Sequence, residues 1–170
     1  CPVFGEKPLV ISMAHAREMV ASAQAAGKAY AVIQTRRYDP NIRRLRAFLE
    51  SGAIGEITTV NCDFYIGAHF GGFRDRMEHV LLLDMAIHTI DAARYLMGSD
   101  PARVAAHEWN PPGSWYDHDA SAAAFFTMAD GTVFYLQDRT GGLPPTAAHT
   151  LARTRVRVVV RPPASGVTTT

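Results

Sequence analysis

Glu6-Lys7-Pro8 closes a short apolar run near the start of this chain, and Leu83-Asp84-Met85-Ala86-Ile87-His88-Thr89-Ile90-Asp91 lies inside an apolar, helix-forming stretch much further on. The residues around the first of these decide the fold. Residues 1 to 4 read as a strand end, 12 to 26 as a helix capped by Ser12 and stopped by Gly27, and 29 to 34 as a second short strand. Strand, helix and strand within about 30 residues is the module of a parallel, doubly wound sheet. Asp39 then suits an N-cap and Pro40 a first helical position, so 41 to 51 form the next helix, closed by Gly52. Alternation predicts a strand over 56 to 66, followed by a loop over 67 to 79 rich in Gly, Phe and Arg and an apolar helix over 80 to 97 that Gly98 stops. Strand-like runs at 103 to 109, 121 to 128 and 132 to 138 follow, the last two joined by a tight turn at Asp130-Gly131.

The helix over 80 to 97 is apolar almost all round, and against that background Asp84, His88, Asp91 and Tyr95 fall at i, i+4, i+7 and i+11. A buried polar group without a partner costs about 1 to 3 kcal/mol. The stripe therefore faces a cleft, or else Asp84 and His88 bond one another and nearby backbone. Taken alone, Lys7 reads as a solvated strand-end lysine and Pro8 as a turn residue.

Bulk properties exclude several classes. Lys+Arg minus Asp+Glu is 17 − 16 = +1, which gives no electrostatic case for nucleic acid or a membrane surface. No apolar run approaches the ~20 residues of a membrane-spanning helix. Cys1 and Cys62 fit neither a disulfide framework nor a zinc-ligand spacing, and read as free thiols in a reducing, cytoplasmic setting. Residues 143 to 170 differ in kind, with four arginines and no acid, which leaves 13 − 16 = −3 on the rest. Their prolines and composition argue for a disordered or out-of-frame tail, although 156 to 160 could pair as an edge strand.

The order of these elements resembles the Gfo/Idh/MocA oxidoreductases, named for glucose-fructose oxidoreductase and inositol dehydrogenase. The resemblance rests on Glu6-Lys7-Pro8, on Arg36-Arg37-Tyr38-Asp39-Pro40, on the 56 to 66 strand and on Asp84-x3-His88-x2-Asp91, and covers about residues 1 to 140. It implies an α/β fold: the C-terminal part of a Rossmann domain over 1–40, then a partial α+β domain over 41–142 with an open, mostly antiparallel sheet. It further implies NAD or NADP as cofactor and a sugar, inositol or related polyol as substrate. Lys7, Asp84 and His88 would be catalytic, and Glu6, Lys7, Pro8, Arg36 and Arg37 would lie against the cofactor, with Lys7-Pro8 in the cis form. Lys7, His69, Arg74, Asp84 and His88 would contact substrate, and the sheet face would pair subunits into a homo-oligomer. Asp91 has a weaker claim and fits a helix-stabilising role.

The chemistry agrees with those roles, because removing a hydride from an alcohol carbon requires removing the hydroxyl proton at the same time. A histidine with a reference pKa of ~6.5 is poised for that, and a lysine cation stabilises developing alkoxide charge. The family's Gly-x-Gly-x-x-Gly cradle should precede Glu6 by more than one βαβ unit, and no such motif occurs in these residues. The expectation is an internal piece of such an enzyme, inactive alone. Two rivals stand beside it: a non-catalytic ligand-binding or oligomerising remnant, and a metal-dependent hydrolase using Asp84, His88 and Asp117-His118-Asp119. For Asp117 to Asp119 a turn role is preferred to metal binding. Trp109, Trp115 and Tyr116 read as loop packing rather than a sugar-stacking patch.

Overall fold

The structure, a computed structural model, describes residues 1–67, 69–140 and 152–162. Strand β1 (Val3–Gly5), helix α1 (Met13–Ala25) and strand β2 (Tyr30–Val32) form the expected βαβ unit, and β1 and β2 pair in parallel. Ser12 stands at the N-cap of α1, but its side chain caps nothing, and no residue of α1 is buried. A short 3-10 turn (Thr35–Tyr38) leads into α2 (Pro40–Glu50), where Asp39 Oδ1 accepts from Asn41 N at 2.7 Å. The cap and the proline act there as the sequence predicts.

The rest is a five-stranded sheet in the order β4-β5-β6-β3-β7. Its strands are β3 (Glu56–Ile66), β4 (Pro101–Trp109), β5 (Ser121–Met128), β6 (Val133–Thr140) and β7 (Ala152–Arg161). β3 and β6 run parallel, and the other pairings are antiparallel. This is the mixed α/β architecture with a mostly antiparallel sheet. Asp130 Oδ1 accepts from Thr132 N at 3.0 Å and Gly131 takes a φ of 86°, which closes the β5–β6 hairpin.

Register settles which side chains enter the core. Val60, Cys62 and Phe64 of β3 lie across from Phe134, Leu136 and Asp138 of β6 on one face, and Ala124 and Phe126 of β5 continue it. That face packs on the helix above it through Ala86 and Ala93. Phe126, Met128, Phe134 and Leu136 thus point inward, and their neighbours Phe125 and Tyr135 lie on the outer face.

Two expectations need correction. Residues 152–161, which composition assigns to a tail, are β7, paired antiparallel along β3, so the edge-strand reading is the one that describes them. Their alternation of Arg and Val suits a strand with one face on the sheet's core side. Gly55 makes that seating possible, since a Cβ there would stand 1.9 Å from the Arg161 carbonyl oxygen. The rest of the expected tail, 143–151 and 163–170, lies outside the described residues. The helix expected over 80 to 97 is also two elements, a π-helical turn at Leu81–Ala86 running into α3 (Ile87–Met97), with Gly98 left-handed at its end. Among the described residues no helix is long and apolar enough to cross a membrane.

Candidate active site

Lys7 sits just past the end of β1, in a bend fixed by the cis Lys7-Pro8 bond, and points at the π-helical turn. Its ammonium donates to Asp84 Oδ1 at 2.7 Å and to the Asp84 backbone carbonyl. From the opposite side, Arg74 Nε donates to Asp84 Oδ2 at 2.6 Å. One buried carboxylate therefore joins the βαβ unit, the 3-10 turn at Gly72–Arg76 and the helix beneath. Burial works against ionisation of Asp84, but the hydrogen bonds from Arg74 and Lys7 outweigh it and hold the carboxyl below its ordinary range.

His88 lies in the first turn of α3, half-buried, and no hydrogen bond joins it to Asp84. The reason is geometric. Positions i and i+4 share a face of an α-helix, but the wider π turn changes the angle between them. Burial lowers the His88 pKa, the charges of Lys7 and Arg36 lower it further, and Asp84 and Asp91 oppose the shift. The imidazole is thus neutral near pH 7, and its Nδ1 is buried without a hydrogen-bond partner among the described residues. A neutral imidazole with an unused nitrogen can accept a proton.

Arg36 and Arg37, adjacent in sequence, part company. Arg37 grips Asp91 with two hydrogen bonds, Nε to Oδ2 at 2.8 Å and Nη2 to Oδ1 at 2.7 Å, and lies over the Tyr95 ring. Its guanidinium is occupied in fastening the 3-10 turn to α3. Arg36 instead lies 5.8 Å from the centre of the Phe64 ring, with its charge felt by His88, Cys62 and Asp138. Glu6 is exposed, and Pro8 half-buried.

His69 stands beyond the Lys7–Asp84–Arg74 group: its Nε2 lies 2.7 Å from Asp75 Oδ1 and its ring stacks on Trp115 at 5.1 Å. Asp117 and His118 are exposed, and the Asp117 amide donates to the Asp75 carbonyl at 2.8 Å. Among the described residues no group of three or more His, Cys, Asp or Glu side chains gathers as metal ligands.

One polar group escaped the sequence reading, and another, Tyr116, was read only as loop packing. Tyr116 is buried, its hydroxyl has no hydrogen-bond partner among the described residues, and burial, then the charges of Asp75 and Asp84, raise its pKa. Asp138 is fully buried, its carboxyl oxygens lack partners among the described residues, and burial pushes its pKa up to about 8. Parity could have found Asp138, because it shares the inward face with Phe134 and Leu136. Nothing in the spacing marks Tyr116.

The chain belongs to the GFO/IDH/MocA family, whose C-terminal domain pattern matches residues 42–140. Among related sequences, protein y4oX of Sinorhizobium fredii is 29% identical over 133 residues, spanning 76% of this chain and 37% of that protein. Myo-inositol 2-dehydrogenase of Thermotoga maritima is 32% identical over 104 residues, spanning 61% of this chain and 31% of the enzyme. Among solved structures, an oxidoreductase of Agrobacterium radiobacter in complex with NAD+, L-tartaric acid and magnesium superposes with a TM-score of 0.79. It is 25% identical, and the match covers 94% of this chain and 46% of that one. The chain thus spans less than half the length of each of these three proteins.

Proposed function

We propose that this chain carries the proton-handling half of an NAD(P)-dependent oxidoreductase acting at a hydroxyl-bearing carbon of a sugar, inositol or related polyol. The observation that carries the reading is the convergence of Lys7, Arg74 and Asp84 beside a neutral His88. Relatives named as dehydrogenases of inositol and of apiose support the substrate class. Residues 1–40 would belong to the nucleotide-binding domain and 41–142 to the substrate domain, in a cytoplasmic homo-oligomer paired through the outer sheet face.

The residues present fit the nicotinamide end of such a cofactor, since the His88 Nδ1 is buried, unpaired among the described residues, and under the field of the Lys7 cation at a strand end. Glu6, Lys7 and Pro8 would lie along it, and when bound it supplies the hydride acceptor or donor. The backbone amides of a Gly-x-Gly-x-x-Gly turn are not among these 170 residues. In oxidation, His88 takes the hydroxyl proton as general base. Lys7 stabilises negative charge growing on the oxygen and is itself held in place by Asp84. Arg74 fixes the second oxygen of Asp84, so the carboxylate stays on Lys7 while its charge favours the protonated form of His88. In reduction, the protonated imidazole returns the proton.

The test joins a Gly-x-Gly-x-x-Gly segment from a family member upstream of the chain and follows nicotinamide absorbance with a polyol panel. Lys7→Ala and His88→Ala should each lower kcat about a hundredfold. Near-normal turnover in both would remove the assignment.

A further inference from the structure

The 3-10 turn at Gly72–Arg76 carries the second cation on Asp84, and the chain enters it through Phe70-Gly71-Gly72-Phe73-Arg74. Gly71 and Gly72 take positive φ angles of 67° and 72°, which side-chain-bearing residues adopt only at a cost, and two in succession turn the chain back on itself. That reversal lets residues on either side of the glycines meet one guanidinium. Arg74 lies 4.6 Å from the centre of the Phe73 ring and 5.8 Å from that of Phe70. Neither ring fills the core, since Phe70 is 55% exposed and Phe73 67%. A single exposed phenylalanine needs no explanation, but two sharing one cation do.

Arg74 needs such support, because it reaches Asp84 through Nε with 31% of its side chain exposed, and a long side chain has many rotamers to lose. The backbone is held at the next residue: Asp75 Oδ1 lies 2.7 Å from His69 Nε2, and the Asp75 carbonyl accepts from the Asp117 amide at 2.8 Å. This fixes where the Arg74 side chain starts, and the rings constrain where it ends. Its position matters to Lys7. An Asp84 carboxylate shared with Arg74 offsets less of the Lys7 charge than a closed Lys7–Asp84 pair would, which leaves more of it for a substrate oxygen growing negative. We propose that Phe70 and Phe73 are positioning residues, whose ring faces hold Arg74 on Asp84 and thereby keep part of the Lys7 charge free for the substrate. This rests on the reading of Lys7 given above and names the residues that act through it.

The experiment uses the 170-residue chain and reads two signals by NMR. One is the exchange of the Arg74 Nε–H with solvent. The other is the titration of the Asp84 carboxyl carbon, which Lys7 and Arg74 face directly and whose charge also reaches His88 and Tyr116. Phe70→Leu with Phe73→Leu keeps apolar bulk without a π face, and Phe70→Tyr with Phe73→Tyr keeps the face. The leucine substitutions should speed Nε–H exchange about fivefold or more and move the Asp84 titration upward, because the Arg74 hydrogen bond lowers its pKa. The tyrosine substitutions should leave both signals as in the parent chain. Urea midpoints should agree in all three chains, since the rings are exposed. Leucines that leave either signal unchanged overturn the proposal, and so do tyrosines that behave as leucines do. An Nε–H that exchanges in the parent chain as fast as a free guanidinium overturns it too, as does a urea midpoint that falls in step with the faster exchange. None of these outcomes touches the proton transfer assigned to His88, which turnover of the completed enzyme decides, so the two readings fail separately.

Discussion

Lys7 and Asp84 stand 77 positions apart in sequence and meet through a 2.7 Å charge-assisted hydrogen bond, with Arg74 completing the pair from the far side. Only 10% of the Asp84 side chain is exposed, so its two cations and its carboxylate depend on one another. Asp84→Asn would leave two partly buried cations without a counter-charge and should cost on the order of 2 to 3 kcal/mol in urea denaturation. It should also lower the His88 pKa further, because Asp84 is one of the charges that raise it. An imidazole titration unchanged by the substitution would contradict this account.

Arg37→Gln tests the Arg37–Asp91 fastening. The Asp91 side chain is 6% exposed and that of Arg37 36%, so solvent screens one partner while the other would be left buried and unpaired. We expect a loss of about 2 kcal/mol, with Asp91→Asn showing a similar loss and the double variant costing less than the sum. Strict additivity in that cycle would mean the two residues do not act as a pair.

Asp138 gives a pH dependence with a definite sign. Its folded-state pKa, about 8, lies above the ordinary carboxyl value, so between those values the folded chain holds a proton that the unfolded chain has lost. Stability should therefore decline as pH rises from about 4 to about 8 and level off beyond. Asp138→Asn, which keeps the shape without the charge, should flatten that decline and gain more at pH 9 than at pH 5. A variant that loses stability equally at both would show the carboxyl to be ionised and satisfied in the fold.

NAD(H) should bind this chain alone no more tightly than about millimolar, because the amides that hold a pyrophosphate are not among its residues. Micromolar binding by calorimetry would require a cradle other than the Gly-x-Gly-x-x-Gly turn, which these residues do not contain.

β7 predicts its own protease pattern. Arg155 and Arg157 are exposed as side chains, yet their backbone is paired along β3, and a protease needs several extended residues free of such pairing. Under native conditions trypsin should leave these sites intact until the sheet opens. Rapid cleavage there would return the segment to the status of a tail.

What was legible in the sequence was local. Asp39-Pro40, Gly98 and Asp130-Gly131 each act within a few residues of themselves, and each does in the fold what its chemistry predicts. The Lys7, Asp84 and His88 grouping was legible only through the resemblance, since nothing local brings a strand-end lysine to a helix so far away. Of the two arrangements the spacing left open, the structure holds Asp84 on Lys7 and Arg74 and not on His88. The same apolar spacing suits an α and a π turn, and nothing local in the sequence marks Leu81–Ala86 as the latter. Strand order was out of reach for a similar reason: alternation tells which face a side chain takes, not which strand lies next to it. For 152–161, composition was weighed above alternation, and alternation was the better guide.

The position of β3 also governs when the sheet can be completed. Its neighbours are β6 and β7, both made long after it, so an emerging chain carries β3 with two bare edges while the helices and β4–β5 are still being added. Pairings that span so much sequence close slowly, and Val60, Cys62, Phe64 and Ile66 stay uncovered in the interval. The vulnerable period of this molecule is therefore its biogenesis: yield from cells should respond to chaperone supply and growth temperature far more than the finished fold responds to either.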